Sequence, residues 1–172
     1  LIANAPIFYE YINADEIAKG LAPLHPESVA LSASKLMINR LKELLNANKS
    51  FAFETTASGT NYIKHLKIAK EKKYKIKLIF LWLASPKEAV NRVAERVKQG
   101  GHHVPEETII RRYRVGLKNL IKYYLPLAES ALILDNSSEE SPKRLIARKN
   151  EDNSIEIFDD VIWEKIQRLV NE

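Results

Sequence analysis

The stretch KIKLIFLWLASPKEAVNRVAERVKQGG, residues 75–101, changes from one hydrophobic pattern to another near its middle. LIFLWLA, residues 78–84, is continuously apolar, which is typical of a strand covered on both faces by helices. Valines then recur at helical spacing, with Ser85 as the predicted N-cap, Pro86 at the first helical position and the glycine pair at 100–101 as the stop. A buried strand followed directly by a helix predicts an α/β sheet with crossover connections.

The same alternation of strands and helices runs along the rest of the chain. Four strands are predicted, at about residues 9–13, 50–55, 76–84 and 131–135. Helices are predicted from Ser28 to about 46–48, after Gly59, after Ser85, and between Pro105 and Pro126. We therefore expect one mainly parallel sheet with helices on both faces, followed by an antiparallel hairpin and a terminal helix from about Val161.

The helix that begins near Ser28 has a predicted buried face. Its apolar residues recur at helical spacing and are Leu31, Met37, Leu41, Leu44 and Leu45.

Composition limits the class of protein. The 172 residues are 45% hydrophobic and 28% charged, so we expect a single domain over 1–172. The chain has no cysteine, which argues against a zinc site and fits a reducing cytoplasm. No apolar stretch approaches the ~20 residues that span a bilayer. The net charge of +5 favours anionic partners. Because the chain begins at Leu1 without a methionine, we expect residues upstream of it.

Polar residues follow each predicted strand, in YINAD, FETTASG, LASP and LDNS. Ligands of open α/β sheets bind at the carboxyl ends of the strands. We therefore expect Asp15, Glu54 and Thr56 to border one crevice. Each residue taken alone is better explained as an ordinary loop cap, and it is their convergence from separate strands that favours a site.

Arginines are concentrated on two predicted helices that flank KQGGHHV. Arg92 and Arg96 lie one turn apart on the first helix, and the second carries Arg111, Arg112 and Arg114 in RRYR. These two helices can form a lid over transferring phosphates. The alternative is two solvated faces with ordinary surface pairs, such as one between Glu88 and Arg92.

A phosphate-transferring enzyme also needs a phosphate cradle, normally G-x-x-x-x-G-K-[ST] after the first strand. The sequence contains no such motif. Either the cradle lies upstream of Leu1, or the chain does not bind a nucleotide in the usual way.

Four segments together resemble the zeta-toxin-like P-loop kinases, in particular their small bacterial branch: YINADEIAKGLAP, FAFETTASG, the run from Tyr74 to Leu120, and LILDNS. The resemblance extends from about Tyr11 to Ser137 and lacks the first strand and P-loop. It implies a P-loop-kinase-like fold, ATP and Mg²⁺ as cofactors, and phosphoryl transfer to a hydroxyl of a small molecule. UDP-N-acetylglucosamine is the acceptor known for the family.

The resemblance also implies roles for individual residues. Asp15 matches the base that accepts the proton of the acceptor hydroxyl, and Arg96 and Arg112 match arginines that contact the transferred phosphate. Substrate contacts are expected at Asn13, Glu54 and Thr56. Contacts near the nucleotide base are expected at Asp135 and Asn136, for which a simple turn is the alternative. His102 and His103 are expected on the lid surface.

Two competing functions stay open at this point. A chain without a cradle fits a degenerate, non-catalytic module that binds a nucleotide or another ligand. A nucleic-acid binder is disfavoured, because the basic residues are spread over several elements and Phe80 and Trp82 lie inside an apolar strand. The resemblance also raises an antidote protein as a partner.

Overall fold

The computed structural model describes residues 10–98, 101, 103–138 and 143–171. The chain divides into two compact units, Leu1–Thr55 and Thr56–Glu172, so the boundary lies within FETT. The single-domain expectation stays a prediction. No helix among the described residues is long and apolar enough to cross a membrane.

Over residues 10–55, the described part of the first unit contains two short strands and two α-helices. Its elements are β1 (Tyr11–Ile12), α1 (Ala14–Leu21), a 3-10 turn (Pro26–Val29), α2 (Ala30–Asn46) and β2 (Ala52–Phe53). β1 and β2 pair in parallel, with Tyr11 opposite Ala52 and Ile12 opposite Phe53. α1 replaces the polar loop predicted after the first strand, because the Asn13 side chain caps it and Asp15 and Glu16 occupy its first turn.

The core of the first unit lies along α2. Met37, Leu41, Leu44 and Leu45 are buried as predicted, together with Ala33. Leu31 was predicted on the same face but is 72% exposed. The reason is that α2 begins at Ala30, so Leu31 lies in its first turn at the edge of the apolar stripe.

The second unit contains the longer strands and most of the helices. Its elements are α3 (Ile63–Glu71), β3 (Lys77–Trp82), α4 (Pro86–Lys98), α5 (Glu106–Asn119), a π-helical turn (Leu120–Tyr124), α6 (Leu125–Leu127), β4 (Ser130–Asp135), β5 (Arg144–Lys149), β6 (Ile155–Ile157) and α7 (Asp160–Asn171).

The sheet of the second unit has the strand order β3-β4-β5-β6. β3 and β4 are parallel, and the predicted hairpin β5–β6 is antiparallel. The prediction of a single sheet is wrong for the described residues, because β2 pairs only with β1 and β3 pairs only with β4. The mixed α/β class is confirmed.

One side of β3 does not match the expectation of a strand covered on both faces. Trp82 is buried and Phe80 packs against the core, whereas Ile79 is 64% exposed and Leu81 is 46% exposed. Side chains alternate between the faces of a strand, so within the described residues the core covers only the Phe80 and Trp82 side of β3.

That core is formed by β3, β4, β5, α5 and α7. Its fully buried side chains include Ile133, Ile146 and Ile166, with Leu117 and Trp163 packed beside them. α4 in turn packs against α5.

The helix predicted between Pro105 and Pro126 forms, and its type changes near its end. α5 ends at Asn119, and a π-helical turn continues directly into α6, which ends at Leu127. Pro126 therefore lies next to the last residue of the helix, which is consistent with a residue that lacks a backbone N–H and does not continue a helix.

Lys149 of β5 is buried and bonds to the end of this helix. Its Nζ donates to the carbonyl oxygen of Leu125 at 3.0 Å and to that of Ala128 at 2.6 Å. Burial, and to a lesser extent the charge of Lys70, lower the pKa of Lys149. The ammonium group thus satisfies two carbonyls at the end of α6.

Replacing Lys149 by methionine keeps the length of the side chain and removes both hydrogen bonds. Because two buried carbonyls lose their donor, we expect Lys149→Met to lower the free energy of unfolding by about 1–3 kcal/mol in urea titrations. Lys75→Met is the matched control: Lys75 is exposed and paired with Glu151, and a change within about 0.5 kcal/mol is expected. Equal effects of the two substitutions would contradict this role of Lys149.

Candidate functional site

In the first unit, Asn13 lies where β1 ends and α1 begins. Its Oδ1 accepts hydrogen bonds from the backbone N–H of Asp15 at 2.8 Å and of Glu16 at 3.4 Å. The exposed Asp15 therefore lies in the first turn of α1, where the partial positive charge of the helix favours a carboxylate.

The second strand end in this unit, Glu54, meets the same asparagine. Asn13 Nδ2 donates to Glu54 Oε2 at 3.0 Å, and the backbone N–H of Glu54 donates to the carbonyl of Ile12 at 3.2 Å. The parallel ladder of β1 and β2 thus continues one residue past β2 and brings together two residues that the sequence had placed in the site.

Tyr11 belongs to this cluster and was missed by sequence reasoning. A hydrogen bond with the Glu54 carboxylate, followed by partial burial, raises the pKa of the Tyr11 phenol. The signal was present in the strand period, because Tyr11 and Asn13 are two residues apart and project to the same side. An open groove of about 370 Å³ runs beside them, lined by Glu10, Tyr11, Ile12, Asn13, Glu16, Ile17 and Arg40.

In the second unit, residues 56–59 are held against the end of α5 and the π-helical turn that follows it. Asn119 Nδ2 donates to the Ala57 carbonyl at 2.8 Å, and the Tyr124 hydroxyl donates to the Gly59 carbonyl at 3.1 Å. Gly116 faces the same loop, since a Cβ at this position would lie 3.0 Å from the Thr56 carbonyl oxygen. Thr56 itself is exposed, with its Oγ1 2.8 Å from Ser58 Oγ.

The start of α4 uses the predicted cap and changes the expected role of Glu88. Ser85 Oγ accepts from the Glu88 N–H at 3.2 Å, and the Glu88 carboxylate accepts from the Ala84 N–H at 3.0 Å. The expected surface pair between Glu88 and Arg92 is wrong. Arg92 instead donates to the Asn136 carbonyl, which ties α4 to the end of β4.

Arg96 and Arg112 are both exposed, on helices that pack together. After α4, the Gly101 N–H donates to the Arg96 carbonyl at 2.8 Å, and a Cβ on Gly101 would lie 2.8 Å from that oxygen. Gly101 thus supports the predicted stop, whereas Gly100 lies outside the described residues.

Tyr113 anchors the RRYR segment. Its hydroxyl donates to the Leu83 carbonyl at 2.8 Å, and burial, assisted by the charge of Glu88, raises its pKa to about 12. The neighbouring residues Arg112 and Arg114 are left exposed on α5.

Asp135 ends β4 in a turn that is held by charge. Its Oδ1 accepts from the Ser137 N–H at 2.9 Å, and its Oδ2 lies 3.3 Å from Arg144, which also contacts Asp159 at 3.2 Å. Burial alone would raise the pKa of Asp135, but the contacts with Ser137 and Arg144 outweigh burial and lower it. The geometry is that of the turn alternative, and a contact between Asp135 or Asn136 and a nucleotide base stays a prediction.

His103 is exposed, as expected, and His102 lies outside the described residues. Among residues 10–98, 101, 103–138 and 143–171, no group of three or more His, Cys, Asp or Glu side chains is arranged to hold a metal ion.

The comparisons with known proteins support the fold. A chain of the PezAT chromosomal toxin–antitoxin system of Streptococcus pneumoniae superimposes with a TM-score of 0.55 over 94% of this chain and 72% of its own length, at 13% identity. This chain therefore shares its overall fold with that chain. An uncharacterized protein of Haemophilus influenzae is 28% identical over 102 residues, which cover 59% of this chain and 73% of that protein. No model of a protein family matches.

The Asp135 turn predicts a pH-dependent contribution to stability. A carboxylate whose pKa is lowered by folding stabilises the fold above the unfolded pKa of about 4 and loses that contribution as pH falls through the folded pKa. Because Arg144 is largely exposed, we expect Asp135→Asn to cost only about 1 kcal/mol at pH 7. Urea titrations should show this difference shrinking as pH falls below about 4.

The control is Glu164→Gln, which removes another carboxylate–arginine pair at an exposed site. It should change the free energy of unfolding by less than about 0.5 kcal/mol at both pH 7 and pH 3. A cost of Asp135→Asn that is the same at pH 7 and pH 3 would show that the ion pair is not its source.

Two helical glycines give predictions of opposite sign. Alanine is the better helix former by about 0.5–1 kcal/mol, and a Cβ at Gly20 of α1 meets nothing within 4 Å, so Gly20→Ala should stabilise. At Gly116 the Cβ would press on the Thr56 carbonyl, and we expect Gly116→Ala to destabilise by about 1–3 kcal/mol. Urea unfolding measures the free energy change of each variant. Stabilisation by Gly116→Ala would show that the loop at residues 56–59 moves away from the added Cβ at no cost.

Proposed function

We propose that this chain takes part in ATP-dependent phosphoryl transfer to a hydroxyl of a small molecule, with UDP-sugars as the first candidates. The observation that supports this most is the Asn13–Glu54 hydrogen bond beside Asp15. It brings together side chains suited to accepting substrate hydroxyls, next to a carboxylate in the first turn of a helix. The resemblance of the sequence to the zeta-toxin-like kinases supports the same reaction class.

Each candidate residue has a role in this proposal. Asp15 accepts the proton of the acceptor hydroxyl as the phosphoryl group arrives. Substrate contacts are assigned to Glu54 and to Thr56, as the resemblance implies. Arg96 and Arg112 stabilise the charge of the transferred phosphoryl group, since guanidinium groups match phosphate geometry. Asp135 and Asn136 lie toward the nucleotide base.

The described residues fit ATP in part. The exposed guanidinium groups of Arg96 and Arg112 suit phosphates, and the exposed carboxylate of Asp15 suits a Mg²⁺ ion. The sequence contains no G-x-x-x-x-G-K-[ST] segment, so the backbone amides and lysine of a phosphate cradle have to come from residues outside it. When bound, ATP supplies the phosphoryl group.

A protein partner belongs to the same proposal. The structural neighbour comes from a toxin–antitoxin system, which supports an antidote protein as a partner of this chain.

The missing motif favours one alternative function, a non-catalytic module that binds a nucleotide or another ligand. The two functions differ in a simple way. The kinase consumes ATP and forms a phosphate ester, whereas the binding module leaves both ligands unchanged.

Substitutions at Asp15 and Arg96 test the catalytic assignment. In the protein as encoded, with any residues that precede Leu1, we expect Asp15→Asn to lower turnover by ~10²–10⁴-fold and Arg96→Ala by ~10³–10⁵-fold, with unchanged folding. Phosphate transfer from labelled ATP is measured with UDP-sugars first and other hydroxyl-bearing metabolites next.

Arg114→Ala is the matched control, because Arg114 is also an exposed arginine of the lid helices but is assigned no contact. It should change turnover by less than about 2-fold, within the range of surface charge effects. Near-normal turnover of Asp15→Asn on a confirmed substrate would refute the base assignment. ATP binding without transfer to any acceptor would favour the binding module.

A further inference from the structure

A single side chain in the first unit, Asn13, has both ends of its amide engaged by groups that carry the proposed reaction. Its Oδ1 holds the backbone N–H of Asp15 at 2.8 Å, and its Nδ2 holds the carboxylate of Glu54 at 3.0 Å. Asp15 and Glu54 follow different strands and are 39 residues apart in the chain. One carboxamide therefore links the start of α1 to the residue that follows β2.

We propose that Asn13 is a positioning residue that sets the placement of Asp15 relative to Glu54, an inference that rests on the proposed function. This differs from the expectation that Asn13 contacts the substrate. Its acceptor serves as the helix cap, and one N–H is committed to Glu54, so its main contribution is to geometry. A base and a substrate-binding carboxylate need fixed relative positions, because small displacements cost large factors in rate.

Asparagine meets this requirement better than any other capping residue. Ser, Thr and Asp cap helices about as well, but aspartate places a second negative charge against Glu54 and the hydroxyls are shorter than the amide. Glutamine carries both amide functions on a longer side chain, which disturbs the cap. The two contacts together therefore select asparagine at this position.

Tyr11 belongs to the same group of side chains. Its phenol oxygen accepts a hydrogen bond from Asn13 Nδ2 at 3.5 Å, and the Glu54 carboxylate beside it raises the pKa of the phenol. The Glu54 side chain is exposed, so it can accept a substrate hydroxyl while the Asn13 contact holds its orientation.

Exchanging the amide at residue 13 with the carboxylate at residue 54 tests their hydrogen bond through protein stability, without an activity assay. Asn13→Asp keeps the cap but sets a carboxylate against Glu54, and we expect its thermal unfolding midpoint to fall by about 2–4 °C. Adding Glu54→Gln restores an amide–carboxylate pair in reversed order, and most of the midpoint should return. Additive losses from the two substitutions would overturn the proposal.

Enzyme kinetics of the same variants distinguish a positioning role of Asn13 from a purely structural one. On a confirmed acceptor, Asn13→Asp should lower kcat by about 10-fold or more and leave the KM for ATP within about 2-fold. The double variant should regain its unfolding midpoint but not its kcat, since the carboxylate has moved from position 54 to position 13. A normal kcat in Asn13→Asp would overturn the proposal.

Asn150→Asp is the matched control. Asn150 donates to Glu156 at 2.6 Å in the β5–β6 hairpin, where no site residue is placed. The unfolding midpoint of the Asn150→Asp variant should therefore fall, while its kcat stays unchanged. If the unsubstituted protein transfers no phosphate, the proposed function fails, and the cycle of unfolding midpoints still decides whether Asn13 holds Glu54.

Discussion

The parallel pairing of β3 with β4 is the constraint on which the second unit depends. It sets Trp82 opposite Asp135, and the Asn136 N–H extends the ladder by donating to the Trp82 carbonyl at 2.8 Å. The strand ends are then fixed by side chains from other elements. Arg92 reaches the Asn136 carbonyl and Arg144 reaches Asp135. A parallel pair places both carboxyl ends at one edge, so the polar residues after both strands gather there.

The same rule operates on a smaller scale in the first unit. β1 and β2 share only two residue pairs, which would be marginal for an isolated ribbon. The Asn13–Glu54 hydrogen bond extends this pairing through side chains, and the α1 cap uses the other end of the same amide. In this unit, the side-chain amide of Asn13 therefore both stabilises the fold and places the residues assigned to the proposed reaction.

The features that could be predicted from the sequence are those that depend on residues close together in the chain. Ser85 and Pro86 begin α4 because capping requires only neighbouring residues, and the predicted antiparallel hairpin of β5 and β6 joins strands that are close in sequence. The exposed side of β3 could not be predicted, because an apolar run does not show which of its faces a helix covers. The change from α to π geometry after Asn119 was equally invisible, since no residue pattern in the sequence marks it.

In the candidate site, too, the features set by nearby residues were predicted and those set by long-range contacts were not. Asn13 and Glu54 were predicted from their positions after strands, and parallel pairing brings them together. The double role of Asn13 could not be read from the sequence, because it depends on a register between residues 41 positions apart. Arg92 and Glu88 have helical spacing for a salt bridge, yet longer-range contacts with Asn136 and the α4 cap take both side chains.

The central claim is that this architecture transfers a phosphoryl group to a small hydroxyl-bearing molecule. ³¹P NMR of the protein as encoded, mixed with Mg²⁺, ATP and a UDP-sugar or another candidate acceptor, observes the product directly. The account predicts a new phosphomonoester resonance that grows as the γ-phosphate resonance of ATP declines, and only when an acceptor is present. Intact ATP with every acceptor, or release of free phosphate alone, would contradict it.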